Sequence, residues 1–224
     1  MRIDVEQDIM EINNAYAADN RQLFKNSGIF TINIMGSPGA GKTSLLERTL
    51  HLMQNQLKIG VIEGDLATAM DAKRIASIGI SVVQINTDGG CHLDAKMINR
   101  VLPGFYMNAL DLLIIENVGN LVCPAAFDLG EDLRIVVMSV TEGGDKPNKY
   151  PNAFLRADVV VLNKIDILEA SGMDLEETKK DILRINPRAR IFETSCRMGE
   201  VCGVEQLAEY LVELTLEKKK HTLP

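Results

Sequence analysis

The chain has 224 residues, of which 46% are hydrophobic and 25% charged, and its formal net charge is −7. This length suits one large α/β domain, so we expect a single domain over residues 1–224, with residues 1–28 as an N-terminal helix packed on it. The acidic balance argues against a nucleic-acid partner, and the absence of an apolar run of about eighteen residues and of a signal core predicts a cytoplasmic protein with no membrane partner.

Short β-branched runs alternate with helical patterns along the chain. An opening helix is predicted around residues 5–25 and a last helix from about Val204 to Lys218. Because parallel neighbours need crossover connections, the alternation predicts an α/β fold, a mostly parallel twisted sheet of about seven strands with helices on both faces. The predicted strands lie near residues 30–35, 59–63, 81–85, 112–116, 134–140, 158–162 and 190–194.

Two segments rich in glycine and proline interrupt this pattern. Pro103-Gly104 interrupts the helix that begins near Leu93, and residues 143–147 are predicted to be the longest structureless loop. Three lysines at 218–220 are better explained by a helix C-terminus, where they complement the helix dipole, than by a nucleic-acid contact.

The strand predicted near residues 30–35 ends in a Walker A loop, Gly-Ser-Pro-Gly-Ala-Gly-Lys-Thr at 36–43. In such a loop the backbone N–H groups point at phosphate oxygens, Lys42 meets the β- and γ-phosphates, and Thr43 offers its hydroxyl to Mg²⁺. The predicted nucleotide-binding residues here are Gly36, Ser37, Pro38, Gly39, Ala40, Gly41, Lys42, Thr43 and Ser44.

Two acidic residues follow at predicted strand ends, Asp65 and Glu116. A Mg²⁺ that bridges phosphates takes one or two protein ligands and keeps several waters, so both carboxylates are predicted to hold it with Thr43, directly or through water. Glu116 is also suited to orient an attacking water, which makes Lys42, Asp65 and Glu116 the predicted catalytic group. The alternatives are a helix N-cap for Asp65 and a buried structural hydrogen bond for Glu116.

A soft ligand set lies at Cys91, His92 and Cys123. Two thiolates and an imidazole suit Zn²⁺ or Ni²⁺, and three ligands leave one position for water, another subunit or a client. An adjacent Cys-His pair cannot usually chelate one ion within a regular strand, but at a loop-to-helix turn both side chains can converge. The alternative for Cys123 is a small buried apolar residue, and Cys196 and Cys202 are interpreted as inert thiols.

The sequence Asn163-Lys164-Ile165-Asp166 follows the strand predicted at 158–162. A carboxylate at Asp166 accepts from both N1–H and N2–H₂ of guanine, whereas adenine presents no such donor pair, and Asn163 would read the other edge. The carboxyl end of a strand is where open α/β sheets bind ligands. The sequence therefore predicts GTP rather than ATP, with slow intrinsic hydrolysis because no arginine finger can be assigned.

Together these motifs resemble, in the same order and over nearly the whole chain, the HypB family of hydrogenase nickel-incorporation GTPases, which is related to the signal-recognition and MinD-type GTPases. The resemblance implies a GTPase that forms a homodimer with GTP and holds Ni²⁺ or Zn²⁺ at Cys91, His92 and Cys123 across the dimer interface. It also implies nickel delivery to a [NiFe] hydrogenase large-subunit precursor with a HypA-like nickel chaperone. The stretches that carry the resemblance are 36–43, 63–65, 90–94, 116–124, 144–151 and 163–166.

Further site residues follow from the resemblance alone. Lys146 or Lys149 is implied to reach the nucleotide of the facing subunit. The guanine side is implied to be completed by the backbone of Thr194, Ser195 and Cys196. Some family members carry an N-terminal nickel-storage motif; residues 1–28 contain no Cys or His, so nickel storage is not expected.

Two alternatives stay open at the level of sequence. The urease accessory GTPase family, UreG, shares an Asn-Leu-Val-Cys-Pro segment but places its metal ligands as Cys-Pro-His, whereas Ala125 follows Pro124 here. The second alternative is a nucleotide-gated scaffold with negligible turnover and a structural zinc, which would hold its metal regardless of nucleotide.

Overall fold

The structure is a computed structural model that describes residues 5–65, 70–197 and 202–222. Three stretches that bear on the predictions lie outside the described residues. They are the first four residues of the segment 1–28, the link 66–69 after Asp65, and the polar stretch 198–201 between Cys196 and Cys202. In the described part of the chain the strands are β1 (Phe30–Gly36), β2 (Ile59–Asp65), β3 (Ser81–Asn86), β4 (Leu112–Glu116), β5 (Leu133–Ser139), β6 (Val159–Asn163) and β7 (Arg190–Thr194). The helices are α1 (Val5–Asn26), α2 (Lys42–Met53), α3 (Met70–Ser77), α4 (Ala95–Val101), α5 (Cys123–Ala126), α6 (Lys146–Lys149), α7 (Pro151–Leu155), α8 (Leu168–Ser171), α9 (Leu175–Ile185) and α10 (Val204–Thr222).

The strands form one parallel sheet in the order β3-β2-β4-β1-β5-β6-β7. The predicted α/β fold with a parallel sheet of about seven strands is confirmed. β1 lies between β4 and β5, so the chain changes direction across the sheet on either side of β1. A ligand site is expected at such a point, beyond the carboxyl ends of the strands.

Both faces of the sheet are covered, and every residue of β1 and β5 is buried. On one face Ile32 and Ile34 pack in a cluster with Leu46 of α2 and Leu211 of α10. On the other face, α7 and α9 cover one half of the sheet and α1 and α4 the other half. Strands buried on both faces read as continuous apolar runs, which explains why the sequence revealed them. None of the described helices has the length and apolar character of a membrane span.

The helix α1 is fastened to the rest of the fold by buried asparagines. Asn13 accepts from the Ala95 N–H (2.9 Å) and donates to the Asp128 carbonyl (2.9 Å). Asn20 Nδ2 donates to the carbonyls of Ala95 (2.9 Å) and Leu129 (3.1 Å). Because Ala95 is the first residue of α4, these bonds fix the start of α4, three residues beyond His92.

The two predicted interruptions differ in outcome. The break at Pro103-Gly104 is confirmed, since α4 ends at Val101 and a 3-10 turn spans Leu102–Gly104. The prediction of a structureless loop over residues 143–147 is wrong in its second half, because α6 begins at Lys146. Pro147 lies in the first turn of that helix, where proline is tolerated because the N–H that it lacks would have no intrahelical partner.

Candidate functional site

The candidate phosphate loop connects β1 to α2. Residues 37–41 leave the carboxyl end of β1 and enter α2 at Lys42. Gly41 has a φ of 93°, and a Cβ at this position would lie 2.4 Å from Asn163 Nδ2, so the site requires glycine. The N-terminus of α2 faces a cavity of about 470 Å³, an arrangement that favours anionic ligands. Hydroxyl and charged groups lining this cavity include Lys42, Thr43, Ser44, Asp65, Lys164 and Glu116.

The two reactive side chains of the loop are held by neighbouring groups. Lys42 Nζ donates to the carbonyl oxygens of Gly36 (3.2 Å) and Ser37 (3.4 Å). Thr43 Oγ1 donates to Glu116 Oε1 at 2.8 Å. The hydroxyl and the carboxylate that the sequence assigned to one Mg²⁺ site are therefore in direct contact.

A second buried carboxyl group, Glu63, lies beside Glu116 and was not singled out from the sequence. The two residues are register partners on β2 and β4, and their side chains are only 3% and 2% exposed. Burial, followed by the negative charge of Glu116, raises the pKa of Glu63 to about 10. Burial also raises the pKa of Glu116, although the charge of Lys42 and the Thr43 hydroxyl oppose this shift. The sequence signal was an acidic residue inside an otherwise apolar strand.

Two oxygens of the Glu63–Glu116 pair lack hydrogen-bond partners in the described part of the chain and indicate whether a divalent cation fits here. Glu63 Oε2 and Glu116 Oε2 are both buried and make no hydrogen bond within the described residues. An unsatisfied buried carboxylate oxygen is costly, and Mg²⁺ prefers oxygen ligands. The Thr43, Glu63 and Glu116 oxygens therefore fit a hard divalent cation at the phosphate cavity.

Asp65 ends β2 and lines the same cavity, half-buried. The alternative role of Asp65 as a helix N-cap concerns residues 66–69, which lie outside the described part of the chain. An arginine that the sequence did not identify, Arg74, also borders the cavity. Its guanidinium contacts Ser44 Oγ (3.3 Å), Glu47 (2.6 Å) and Asp71 (3.2 Å). Two carboxylates thus hold the Arg74 guanidinium at the rim of the cavity.

The Asn163–Asp166 motif lies against the phosphate loop. Asn163 is buried; its Nδ2 donates to the Ala40 carbonyl (3.0 Å) and its Oδ1 accepts from Thr194 Oγ1 (3.0 Å). Lys164, in a left-handed conformation, donates from Nζ to the Gly39 carbonyl at 2.7 Å. In this structure Asn163 therefore supports the phosphate loop through Ala40, and its contact with the guanine base stays a prediction.

The remaining residues of the predicted guanine side lie together at the ends of β6 and β7. Asp166 Oδ1 accepts from Ser195 Oγ at 2.7 Å, which orients the half-buried carboxylate. The Cys196 thiol lies 3.9 Å from Asn163 Oδ1, and burial raises its pKa to about 11. A protonated thiol agrees with the prediction of an inert cysteine.

The three predicted soft ligands converge in one chain. Ligand atoms of Cys91, His92 and Cys123 all lie within 4.8 Å of one another, and Cys91 Sγ is 3.6 Å from His92 Nδ1. Cys91 and His92 lie in the loop before α4, whose N-cap is Asp94, and Cys123 begins α5. Cys123 is half-buried and lies within this group of ligands, which argues against the alternative of a purely apolar core residue.

The environment of this cluster suits a soft metal. Burial lowers the pKa of His92, which favours the neutral imidazole that a metal requires. The His92 ring stacks on Phe127 with centroids 4.0 Å apart. The Cys91 thiol raises the pKa of Cys123, as expected for two sulfur atoms that share one site. We call Cys91, His92 and Cys123 the thiol–imidazole cluster.

The two lysines of α6 lie in different surroundings. Lys146 Nζ is 3.6 Å from Glu142 and 5.1 Å from the centre of the Tyr150 ring. It lines a second cavity, of about 410 Å³, together with Ser37 of the phosphate loop. Lys149 is largely exposed and pairs with Asp145 at 2.5 Å. Of the two, Lys146 is the lysine beside the phosphate loop of its own chain.

A phosphate loop after the central strand of a parallel sheet, with an Asn-Lys-x-Asp segment beside it, defines a P-loop nucleotide-binding protein. The CobW/HypB/UreG nucleotide-binding domain model matches residues 30–193. The hydrogenase maturation factor HypB of Rhizobium leguminosarum bv. viciae is 49% identical over 209 residues, which are 93% of this chain and 69% of that protein.

Two solved structures extend the similarity to the fold. The crystal structure of hydrogenase maturation factor HypB from Archaeoglobus fulgidus has a TM-score of 0.85 and 43% identity, covering 92% of this chain and 99% of that chain. HypB from Helicobacter pylori, solved in complex with nickel, has a TM-score of 0.82 and 38% identity over 93% and 95% of the two chains. The chain belongs to the CobW/HypB/UreG family and, within it, to the HypB hydrogenase maturation factors.

Proposed function

We propose that this protein is a GTPase that couples GTP binding and hydrolysis to nickel delivery during [NiFe] hydrogenase maturation. The observation that carries the proposal is the thiol–imidazole cluster, whose three ligand atoms lie within 4.8 Å of one another. Cys123 of this cluster is only seven residues beyond Glu116, whose carboxylate contacts Thr43 of the phosphate loop. A HypB relative from Helicobacter pylori, solved with nickel, supports nickel as the cargo.

The nucleotide site is proposed to act by positioning and charge neutralisation, which is what phosphoryl transfer chiefly requires. The loop amides and Lys42 would bind the phosphates, and Asp166 would select guanine. Mg²⁺, when bound, supplies positive charge at the β- and γ-phosphates, and Thr43 and the buried carboxylates would hold it. Arg74 is paired with Glu47 and Asp71, so we expect a slow intrinsic rate.

The thiol–imidazole cluster is proposed to hold Ni²⁺ as cargo, with Zn²⁺ as a competitor of the same ligand preference. Three protein ligands leave at least one position for a ligand from a second subunit or a client. Cys91 is exposed, which suits a site that must receive and release its metal. Nickel binding should displace thiol protons, so the apparent affinity should rise with pH.

The partners belong to the same proposal and rest on family membership. They are a second copy of the chain in the presence of GTP, a HypA-like nickel chaperone and the large-subunit precursor of a [NiFe] hydrogenase, all in the cytoplasm. Lys146 and Lys149 remain the two candidates for a lysine that reaches the facing subunit.

Calorimetric titration of the purified chain with Ni²⁺ tests the metal assignment. Cys91→Ser and Cys123→Ser should each weaken binding by at least about tenfold, because even outer residues of metal sites contribute that much. Cys202→Ser, a matched change of an exposed thiol, should leave the affinity unchanged. Wild-type affinity in both cluster variants would contradict the proposal.

The structural-zinc alternative is tested by challenging the metal-loaded protein with a mild chelator. A closed structural site would resist mild chelators and hold metal regardless of nucleotide. Rapid loss of the bound metal to a mild chelator would exclude that alternative, whereas retention would favour it over a delivery function.

A further inference from the structure

The segment that joins Glu116 to Cys123 touches the phosphate loop. Gly36, the first residue of the loop motif, forms an isolated antiparallel bridge with Asn120. A Cβ added at Gly119 would lie 3.0 Å from Pro38 Cγ and 3.1 Å from the Pro38 backbone, so Gly119 permits close packing against the loop. A displacement of the phosphate loop would therefore be transmitted to residues 119–120.

The side chain of Asn120 bonds to both backbone segments that carry the thiols of the thiol–imidazole cluster. Its Nδ2 donates to the Cys91 carbonyl at 3.3 Å. Its Oδ1 accepts from the Val122 N–H at 2.9 Å, immediately before Cys123. Asn120 is thus joined by its backbone to the phosphate loop and by its side chain to the segments that carry the two thiols.

A neighbouring asparagine strengthens the same junction. Asn117 Oδ1 accepts from the backbone N–H groups of Leu93 (3.1 Å) and Val118 (3.0 Å), so it ties the residue after His92 to the end of β4. Asn117 is buried, and its loss would leave backbone groups unsatisfied. Asn120 is half-buried, so its side chain can be changed at smaller cost to the fold.

We propose that Asn120 is a positioning residue that couples the phosphate loop to the Cys91 and Cys123 segments. This inference rests on the proposed GTP-dependent nickel site and names the residue through which nucleotide state reaches the metal ligands. The Asn120 amide sets the position of the Cys91 backbone relative to Cys123, and hence the separation of the two sulfur atoms. A change in loop geometry on binding GTP would then alter nickel affinity without any contact between nucleotide and metal.

The test compares Ni²⁺ affinities measured by calorimetry with GDP and with a non-hydrolysable GTP analogue. Asn120→Ser keeps a hydroxyl acceptor for the Val122 N–H but is too short to donate to the Cys91 carbonyl. In the wild type the Ni²⁺ affinities in the two nucleotide states should differ at least about fivefold. In Asn120→Ser this affinity ratio should be below about twofold. Asn99→Ser removes a side-chain bond of similar length, to Asn20 at 2.9 Å, and should keep the wild-type ratio.

One further measurement and one further variant distinguish a positioning role of Asn120 from a general disturbance of the metal site. The sulfur-to-nickel charge-transfer absorption at saturating Ni²⁺ should match the wild type, since the ligands are unchanged. Asn120→Asp, which keeps the side-chain shape and lacks the donor, should also lower the ratio. If both Asn120 variants kept the Ni²⁺ affinity ratio of the wild type, this inference alone would be overturned. If the wild type itself bound Ni²⁺ equally in the two nucleotide states, the proposed function would be contradicted as well as this inference.

Discussion

The buried pair of Glu63 and Glu116 makes the phosphate cavity sensitive to pH. Unfolded Glu63 ionises near 4.5, and its folded pKa is raised to about 10 by burial and by Glu116. Between these values the folded state holds a proton that the unfolded state lacks, so the contribution to stability falls as pH rises through this window. A divalent cation would relieve the same repulsion.

Substituting Glu63 by glutamine tests this argument. Without divalent cations at pH 8, Glu63→Gln should unfold at a higher temperature than the wild type, by roughly 2–4 °C for each 1 kcal/mol gained. At pH 5 the difference should shrink, since both states are then closer to the same protonation. Thermal unfolding in EDTA at the two pH values measures it, and a lower melting temperature for the variant at pH 8 would refute the assignment.

Asp166 is the residue on which base selection depends. Asp166→Asn should weaken GTP binding at least about tenfold, because a hydrogen bond to a charged group contributes about 1.5–3 kcal/mol. The variant should bind xanthosine triphosphate better than the wild type does, since the xanthine carbonyl can accept from the new amide. Competition against a fluorescent guanine nucleotide measures both effects.

The control for this base-selection experiment is Asp19→Asn on the exposed face of α1, which should change neither affinity. Equal affinity of wild type and Asp166→Asn for GTP would show that another residue reads the base. ATP binding as tight as GTP binding in the wild type would show that the site does not select guanine.

At the scale of elements, polar anchors help to hold α1 in place. Asn20 bonds to Ala95, Leu129 and Asn99, so Asn20→Ala would leave three polar groups without their partner. Leaving even one such group unsatisfied costs about 1–3 kcal/mol, and we expect a loss of at least that size. Urea unfolding measures the loss, with exposed Asn55→Ala as the matched control. Equal stability of both variants would mean that the Asn20 bonds contribute little to the stability of the fold.

Elements that depend on local pattern could be predicted from the sequence, whereas pairings between distant elements could not. Strands β1, β5 and β6 appear as apolar runs because they are buried on both faces. The Glu63–Glu116 pair depends on the register of β2 against β4, which local periodicity does not determine. Likewise, the bond from Asn120 to Cys91 joins residues 29 positions apart. The start of α6 was hidden by the two glycines at 143–144 before it and by Pro147 within it.

In the candidate site, too, local motifs could be predicted from the sequence and contacts between distant segments could not. The Walker A residues and the adjacent Cys91-His92 pair were visible because each motif is contiguous in the sequence. The motif predicted that Asn163 reads the guanine base, but its bond to the Ala40 carbonyl could not be predicted, because the two residues lie 123 positions apart. Arg74 has no sequence motif, and its place at the cavity follows only from the packing of α3 against α2.

At the scale of the whole molecule, the sheet order brings both sites to one edge. β4 and β2 lie on one side of β1, so the phosphate loop, the carboxyl pair and the segment that leads to Cys123 all meet beyond the same strand ends. The nucleotide and the metal are therefore expected to bias the same segment, residues 116–123. Coupling of this kind is reciprocal for binding free energies.

The complete thermodynamic cycle of the wild-type protein tests this claim most directly. Ni²⁺ affinity is measured with GDP and with a non-hydrolysable GTP analogue, and the preference for the analogue over GDP is measured with and without Ni²⁺. The account predicts that Ni²⁺ binds at least about fivefold more tightly with the analogue, and that Ni²⁺ raises the preference for the analogue by the same factor. Equal Ni²⁺ affinity in the two nucleotide states would contradict it.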